Sequence, residues 1–372
     1  MSDVPARFAW LAALRQPELA LGWSLSEWQR VIRLSRRLRL LARLAEALDS
    51  QGHMPRVPDP ARRLLIGEQR LSRARTAAAV WAAQRVAAAL QAAPYACVLL
   101  KGGAYLGQQL PIAAGRLPSD LDILVPKAHI ADAQSRLIKA GWAETQMDAH
   151  DQRYYHEWSH EVPPMQHPIH GLELDLHHNI LPPVARTHVD ADLLLARLRP
   201  SAWPGWSVFD PLDQVLHSAA HLFLDAEPRE RVRDLVDLDG LMRHFGATQP
   251  GFWAELPRRA RQLGLSEPLA LACYFVRLWL ATPIPPEALE LIEQAGPGVI
   301  RRAWLVPLFS VLLTPAEPDD AQSLGQKLAA LLVLARYHRQ RMPLRLLVPH
   351  LWHKWRAGRL LDSGAVEGKA AP

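Results

Sequence analysis

Cysteine is scarce in this chain of 372 residues, which holds two, Cys97 and Cys273. Both lie in apolar stretches far apart in sequence, so neither a disulfide framework nor a cysteine zinc site is supported. Long hydrophobic runs are missing as well. No uninterrupted apolar stretch reaches the ~18 residues of a membrane-spanning helix. The opening residues Met1-Ser2-Asp3-Val4-Pro5 lack a basic segment ahead of an apolar one, so no signal peptide is expected. A reducing cytoplasm is the expected location. The chain also has no repeat at a fixed period and no long low-complexity tract.

What is present is an ordinary globular composition, 49% hydrophobic and 22% charged, with enough chain for about two or three cores. The formal net charge of +6 comes largely from Arg30 to Arg43 and from Arg336 to Arg359. Such an excess suits an anionic partner without selecting one.

Residues 1–93 read as a helical segment. Ser24-Leu25-Ser26-Glu27 has the capping-box pattern, and Trp28, Val31, Ile32, Leu38, Leu41 and Leu44 follow at roughly helical spacing, up to a loop through Gly52, Pro55, Pro58 and Pro60. Ala61 to Ala92 carries strong helix formers without proline and reads as one long helix stopped by Pro94. Residues 94–205 change character. Strands are expected over Ala96 to Leu100, Leu121 to Val125, Trp142 to Thr145, Arg153 to Trp158 and Leu172 to His177, with a helix after Gly102 and another over Ala128 to Ala140 that Gly141 ends. Residues 206–362 are helical again from Asp210-Pro211 onward, broken near Glu227-Pro228, Thr248 to Gly251, Thr282 to Pro286 and Thr314 to Pro318. Residues 363–372 read as a disordered tail. The expected class is α+β: a small mixed sheet flanked by N-terminal helices and a C-terminal helical domain.

The chemistry concentrates in the middle. In Ser119-Asp120-Leu121-Asp122-Ile123, two aspartates alternate with apolar residues, so on a strand both carboxylates leave one face. Clustered anions repel unless a cation sits between them, which makes Asp120 and Asp122 candidate ligands for a hard divalent metal. Asp175, in Leu174-Asp175-Leu176-His177, supplies a third carboxylate able to bind metal or take a proton. Lys101-Gly102-Gly103 follows a strand and opens a helix, a setting in which glycines let a phosphate approach the backbone and lysine adds charge. The plain structural alternative is a turn beside solvated edge aspartates.

These residues, Lys101-Gly102-Gly103, Arg116, Ser119-Asp120-Leu121-Asp122 and Leu174-Asp175-Leu176-His177, resemble the nucleotidyltransferase superfamily with the polymerase beta-like fold. They are closest to a poorly characterised bacterial nucleotidyltransferase family with a Lys-Gly motif. His221 and the segment Arg231 to Asp237 resemble that same family. By this resemblance Asp120 and Asp122 bind Mg²⁺ or Mn²⁺ together with a nucleoside triphosphate, with ATP as the expected donor. Asp175 is then ligand or base, and Lys101, Gly102, Gly103, Arg116, Ser119, His177 and Arg233 form the nucleotide side. Two features depart from the pattern: Gly103 stands where a serine is usual, and the gap from Gly103 to Asp120 is long.

The expected activity is therefore transfer of a nucleoside monophosphate to an acceptor left open between small molecule, peptide, protein and RNA, with release of pyrophosphate. A non-catalytic nucleotide- or partner-binding module of the same fold is the alternative. A lesser one is a zinc hydrolase, since His156-Glu157-Trp158-Ser159-His160 matches the H-E-x-x-H spacing, although Tyr154, His156 and Trp158 alternate as on a strand. Half of the 16 histidines fall between His150 and His188. His177 reads as orienting a carboxylate or contacting nucleotide, or as a structural hydrogen-bond partner, and Arg233 with Asp237 as cleft residues or an ion pair. The segment Arg336 to Arg359 reads as a solvated face of the helical domain or as a basic amphipathic stretch for lipid or nucleic acid.

Overall fold

The computed structural model describes residues 6–145, 153, 155, 157–168, 172–225, 228–317, 323–341 and 352. Two 3-10 segments, Ala6–Leu14 and Pro17–Gly22, lead into α1 (Leu25–Arg37), α2 (Leu41–Ser50) and α3 (Asp59–Leu90). The capping box at the start of α1 is formed: the Ser24 oxygen accepts from the Glu27 N–H, and the Glu27 carboxylate accepts from the Ser24 N–H. The single element expected from Ser24 to Gly52 is instead two helices. Arg39 adopts φ 56 and the Leu40 N–H bonds back to the Ser35 carbonyl at 2.7 Å, a left-handed helix stop that apolar spacing does not reveal. Helix α3 runs unbroken from a proline in its first turn.

The middle of the chain forms one mixed sheet with strand order β3-β4-β5-β2-β1-β7-β6. Its strands are β1 (Val98–Leu99), β2 (Asp120–Leu124), β3 (Ala143–Glu144), β4 (Met165–Gln166), β5 (Glu173–His177), β6 (Arg199–Pro200) and β7 (Ser207–Val208). The two long strands, β2 and β5, lie parallel, with Asp120 opposite Glu173, Asp122 opposite Asp175 and Leu124 opposite His177. Leu121, Ile123, Leu174 and Leu176 are fully buried, as the period of two requires when the carboxylates take the other face. Helix α4 (Lys101–Gly107) leaves β1 directly, and α5 (Ile130–Lys139) follows β2 and ends at Gly141 with φ 98.

One strand expectation is overturned. Arg153, Tyr155, Glu157 and Trp158 are helical, not extended; local alternation of aromatic and polar residues does not by itself provide a strand partner. Strands β4, β6 and β7 escaped the sequence because two residues are too few to show a period.

Beyond the short α6 (Ala191–Leu195), helices α7 (Pro211–Phe223), α8 (Val232–Thr248), α9 (Phe252–Gln262) and α10 (Ser266–Leu280) pack around one another. Asp210 caps α7 by accepting from the Leu212 N–H, with Pro211 in the first turn. Next come α11 (Pro286–Ala295), α12 (Val299–Leu313) and α13 (Leu324–Arg341). One large apolar core draws on residues from Phe8 to Leu313 and joins the sheet to the helices on both sides, and a small second cluster of Leu308, Leu312, Ala329 and Val333 packs α12 against α13. Apart from Trp352, the basic stretch beyond Arg341 and the tail 363–372 lie outside the described residues.

Candidate active site

The parallel register of β2 and β5 sets Asp122 beside Asp175, and the start of α4 brings Lys101 to the same point. Lys101 Nζ donates to Asp122 Oδ1 at 2.7 Å, and His177 Nε2 lies 3.2 Å from that oxygen. Lys101 begins the helix at φ 43. Burial would raise the Asp122 carboxyl, but the Lys101 ammonium and His177 outweigh it and hold the group well below the usual carboxylate range. Asp175 has only the His177 charge to relieve it, which is not enough. Burial and the neighbouring Asp122 charge push its carboxyl up to about 7. The two acids thus sit at opposite ends of their range, the pattern of a carboxylate pair sharing one site.

His177 is buried on β5, with Nδ1 3.3 Å from Glu161 Oε2 on its far side. Burial lowers its pKa, yet the bond to Asp122 and the Glu161 charge outweigh this and raise it. Glu161 reaches this position because it forms an isolated antiparallel bridge with His177, flanked by bonds from the Val162 N–H to the Leu176 carbonyl and from the His178 N–H to the His160 carbonyl.

Lys101, His160, Glu161 and His177 open onto a cavity of about 180 Å³. Helix α7 supplies His221 to its wall, the turn after that helix supplies Asp225, and α13 closes it with Tyr337, Gln340 and Arg341. The Arg186 N–H donates to the Gln340 carbonyl at 2.7 Å, fastening the end of α13 to the loop after β5. Burial, aided by the Lys101 charge, lowers His217 to about 3 and holds His221 well below its ordinary value, so both are neutral at physiological pH. Neutral His221 suits its neighbour: Arg231 Nη2 lies 2.6 Å from His221 Nε2, while Arg231 also bonds Asp225 and Asp234.

The remaining residues singled out by sequence are placed as follows. Asp120 is half-buried at the start of β2, accepts from Ser119 Oγ at 3.2 Å, and lies outside both groups of potential metal ligands found among the described residues. Arg116 is buried and donates to Asp237 Oδ2 at 3.1 Å, and Asp237 also pairs with Arg43. Its guanidinium lies against Gly102, where a Cβ would come within 2.0 Å of Nη1. A Cβ on Gly103 would meet Leu121 at 3.1 Å. The glycine pair therefore has a packing reason. Arg233 turns its Nε to Asp234 at 3.5 Å and does not line the cavity. His156 lies outside the described residues; His160 stands past the helical turn, with its ring 5.4 Å from that of His177.

Three contributors were not picked out by sequence, Glu161, His217 and Asp225, and Arg231 was read only as part of the Arg231 to Asp237 segment, not as a tether for His221. His217 and His221 are two histidines one turn apart on a largely buried helix, a legible signal. Glu161 left none.

The donor set suits a divalent cation. Asp122, Asp175 and His177 each offer a ligand atom within 4.8 Å of the others. The known bonds to Asp122 engage Oδ1, and a hard cation prefers carboxylate oxygens such as Oδ2 and those of Asp175.

Residues 24–281 match the model of an uncharacterised nucleotidyltransferase family. The chain belongs to that family. The match includes β1, β2, β5, α7 and α8, hence every carboxylate and histidine of the site. No curated protein and no solved structure matches the chain.

Proposed function

We propose that this nucleotidyltransferase-family protein moves a nucleoside monophosphate from a nucleoside triphosphate, ATP being the expected donor, to an acceptor nucleophile, releasing pyrophosphate. The observation that carries the reading is the juxtaposition of Asp122 and Asp175 across β2 and β5, with Lys101 and His177, which bond or approach Asp122, facing a cavity alongside. Mg²⁺ or Mn²⁺ held by Asp122 and Asp175 would neutralise phosphate charge and favour attack at the α-phosphorus.

The chain's own groups divide the remaining work. Lys101 brings an ammonium to the cavity floor, where a displaced phosphate oxygen gains most from it in a low dielectric. Asp175, holding a proton near neutrality when no cation is bound, is the group suited to accept the proton of an attacking hydroxyl once a cation lowers its pKa. His177 keeps Asp122 ionised and aimed. Neutral His221, held by Arg231, offers the cavity an uncharged hydrogen-bonding ring. Asp120 precedes Asp122 by two residues on β2 and so leaves the same strand face.

A second reading, a binding module without turnover, draws on the Lys101–Asp122 pair, which occupies an oxygen that a cation would otherwise take. The two separate when the protein is incubated with α-labelled nucleoside triphosphates, Mg²⁺ and cell extract. Transfer predicts a labelled acceptor and pyrophosphate, both lost in Asp122→Asn with the fold intact. Nucleotide binding with no labelled acceptor and no pyrophosphate would establish the module instead, and unchanged transfer in the Asn variant would remove Asp122 from the site.

A further inference from the structure

His177 presents two nitrogens to two different neighbourhoods. Nε2 faces Asp122, as described, whereas Nδ1 is buried, has no hydrogen-bond partner among the described residues, and lies 3.3 Å from Glu161 Oε2. His177 is 4% exposed, so solvent does not satisfy that nitrogen. A second buried and unpartnered imidazole nitrogen, His160 Nδ1, lies in the same corner. His160, Glu161 and His177 each bring one ligand atom within 4.8 Å of the others.

We infer that His160, Glu161 and His177 form a transition-metal site, Zn²⁺ being the ion it fits best, on the side of His177 away from Asp122. Three features carry this. The donors are two imidazoles and one carboxylate, a borderline set that suits Zn²⁺ better than the oxygen-seeking Mg²⁺. Ligands at ~2.0–2.1 Å around a tetrahedral ion stand roughly 3.4 Å apart, close to the 3.3 Å between His177 Nδ1 and Glu161 Oε2. Finally, the Asp122 carboxylate behind His177 Nε2 is the outer partner that fixes the ring and tautomer of a metal-binding histidine.

All three donors line the cavity, so a fourth coordination position opens toward whatever the cavity admits. The site needs no H-E-x-x-H helix, because His160 and Glu161 are delivered by their backbone pairing with the end of β5. It is also independent of nucleotidyl transfer, since the metal can be measured with no nucleotide present.

The test is Zn²⁺ titration of the full chain against a chromophoric chelator, with visible spectra of the Co²⁺-loaded protein. One equivalent should bind, and Co²⁺ should give the intense bands of a four-coordinate nitrogen and oxygen site. His160→Ala and Glu161→Gln should each weaken binding roughly 100-fold or more, and Asp122→Asn about 10- to 100-fold through the outer partner. Asp175→Asn should retain the site. Glu161→Gln keeps side-chain volume at a half-exposed position, and circular dichroism of each variant separates loss of ligand from loss of fold. The inference is overturned if no stoichiometric ion binds, if binding survives His160→Ala and Glu161→Gln because scattered histidines of the 150–188 stretch hold it, or if Asp175→Asn removes it equally. A protein that transfers nucleotide but binds no Zn²⁺ would defeat this inference alone.

Discussion

Asp237→Ala is expected to be among the most destabilising single changes in this protein. Asp237 is 2% exposed and accepts from two guanidiniums, Arg43 and Arg116, each 8% exposed. Burial would raise the Asp237 carboxyl, but the two arginines outweigh that and lower it, so the anion persists across the physiological range. Removing it leaves two buried like charges, with Arg43 retaining, among the described residues, the Ile112 carbonyl at 2.7 Å and Arg116 retaining the face of Tyr105 at 5.5 Å. Breaking a buried pair in this one-sided way costs about 3–5 kcal/mol, a large part of the ~5–15 kcal/mol that usually separates folded from unfolded chains. Urea unfolding followed by circular dichroism should show the midpoint fall with an unchanged slope. The triple variant Arg43→Met, Asp237→Leu, Arg116→Met removes every charge together and should recover most of the loss. A loss below about 1 kcal/mol in Asp237→Ala would show that water reaches the guanidiniums, and the buried-triad reasoning would fail.

Three further outcomes are expected. Without divalent cations, the Asp175 contribution to stability should fall as pH rises from about 4 to about 7, because the folded state keeps the proton that the unfolded chain has released, at roughly 1.4 kcal/mol per fully uncompensated pH unit, while buried neutral His217 and His221 act in the opposite sense; Asp175→Asn should therefore make stability rise more steeply with pH over that window, and a pH profile unchanged by the substitution would place the titration elsewhere. Gly102→Ala should cost about 1–3 kcal/mol and impair nucleotide binding, since Asp237 holds the Arg116 guanidinium where the new methyl must go; isothermal titration with a nucleotide at unchanged affinity would contradict this. Burial pushes Cys97 up to about 11 and Cys273 to about 12, so neither thiol should react with Ellman's reagent at pH 8 until denaturant is added; rapid labelling of the native protein would contradict it.

The local signals in the sequence translated directly. The Ser24 to Glu27 cap, the Asp210-Pro211 helix start, the Gly141 stop and the alternation in β2 and β5 each depend on a few adjacent residues, and each is present. What sequence could not carry is contact at long separation. Arg116 and Asp237 are 121 residues apart and Arg43 and Asp237 are 194, so an arginine legible as a phosphate ligand is committed to a buried triad. Register is equally silent: that Asp122 meets Asp175 while Asp120 meets Glu173 follows from how β2 and β5 align, and no periodicity specifies it. Glu161 enters the site through a single β-bridge, an isolated contact with no pattern to recognise. The break at Arg39 depends on a left-handed residue that need not be glycine.

The end of α13 lies beyond the stretch that matches the family. The carboxylates, the lysine and the histidines all fall within the shared 24–281 stretch, whereas Tyr337, Gln340 and Arg341, which close the cavity, come from outside it. One wall of the cavity is thus built from residues outside the stretch that defines the family match, so what the cavity admits depends on side chains that the match does not include.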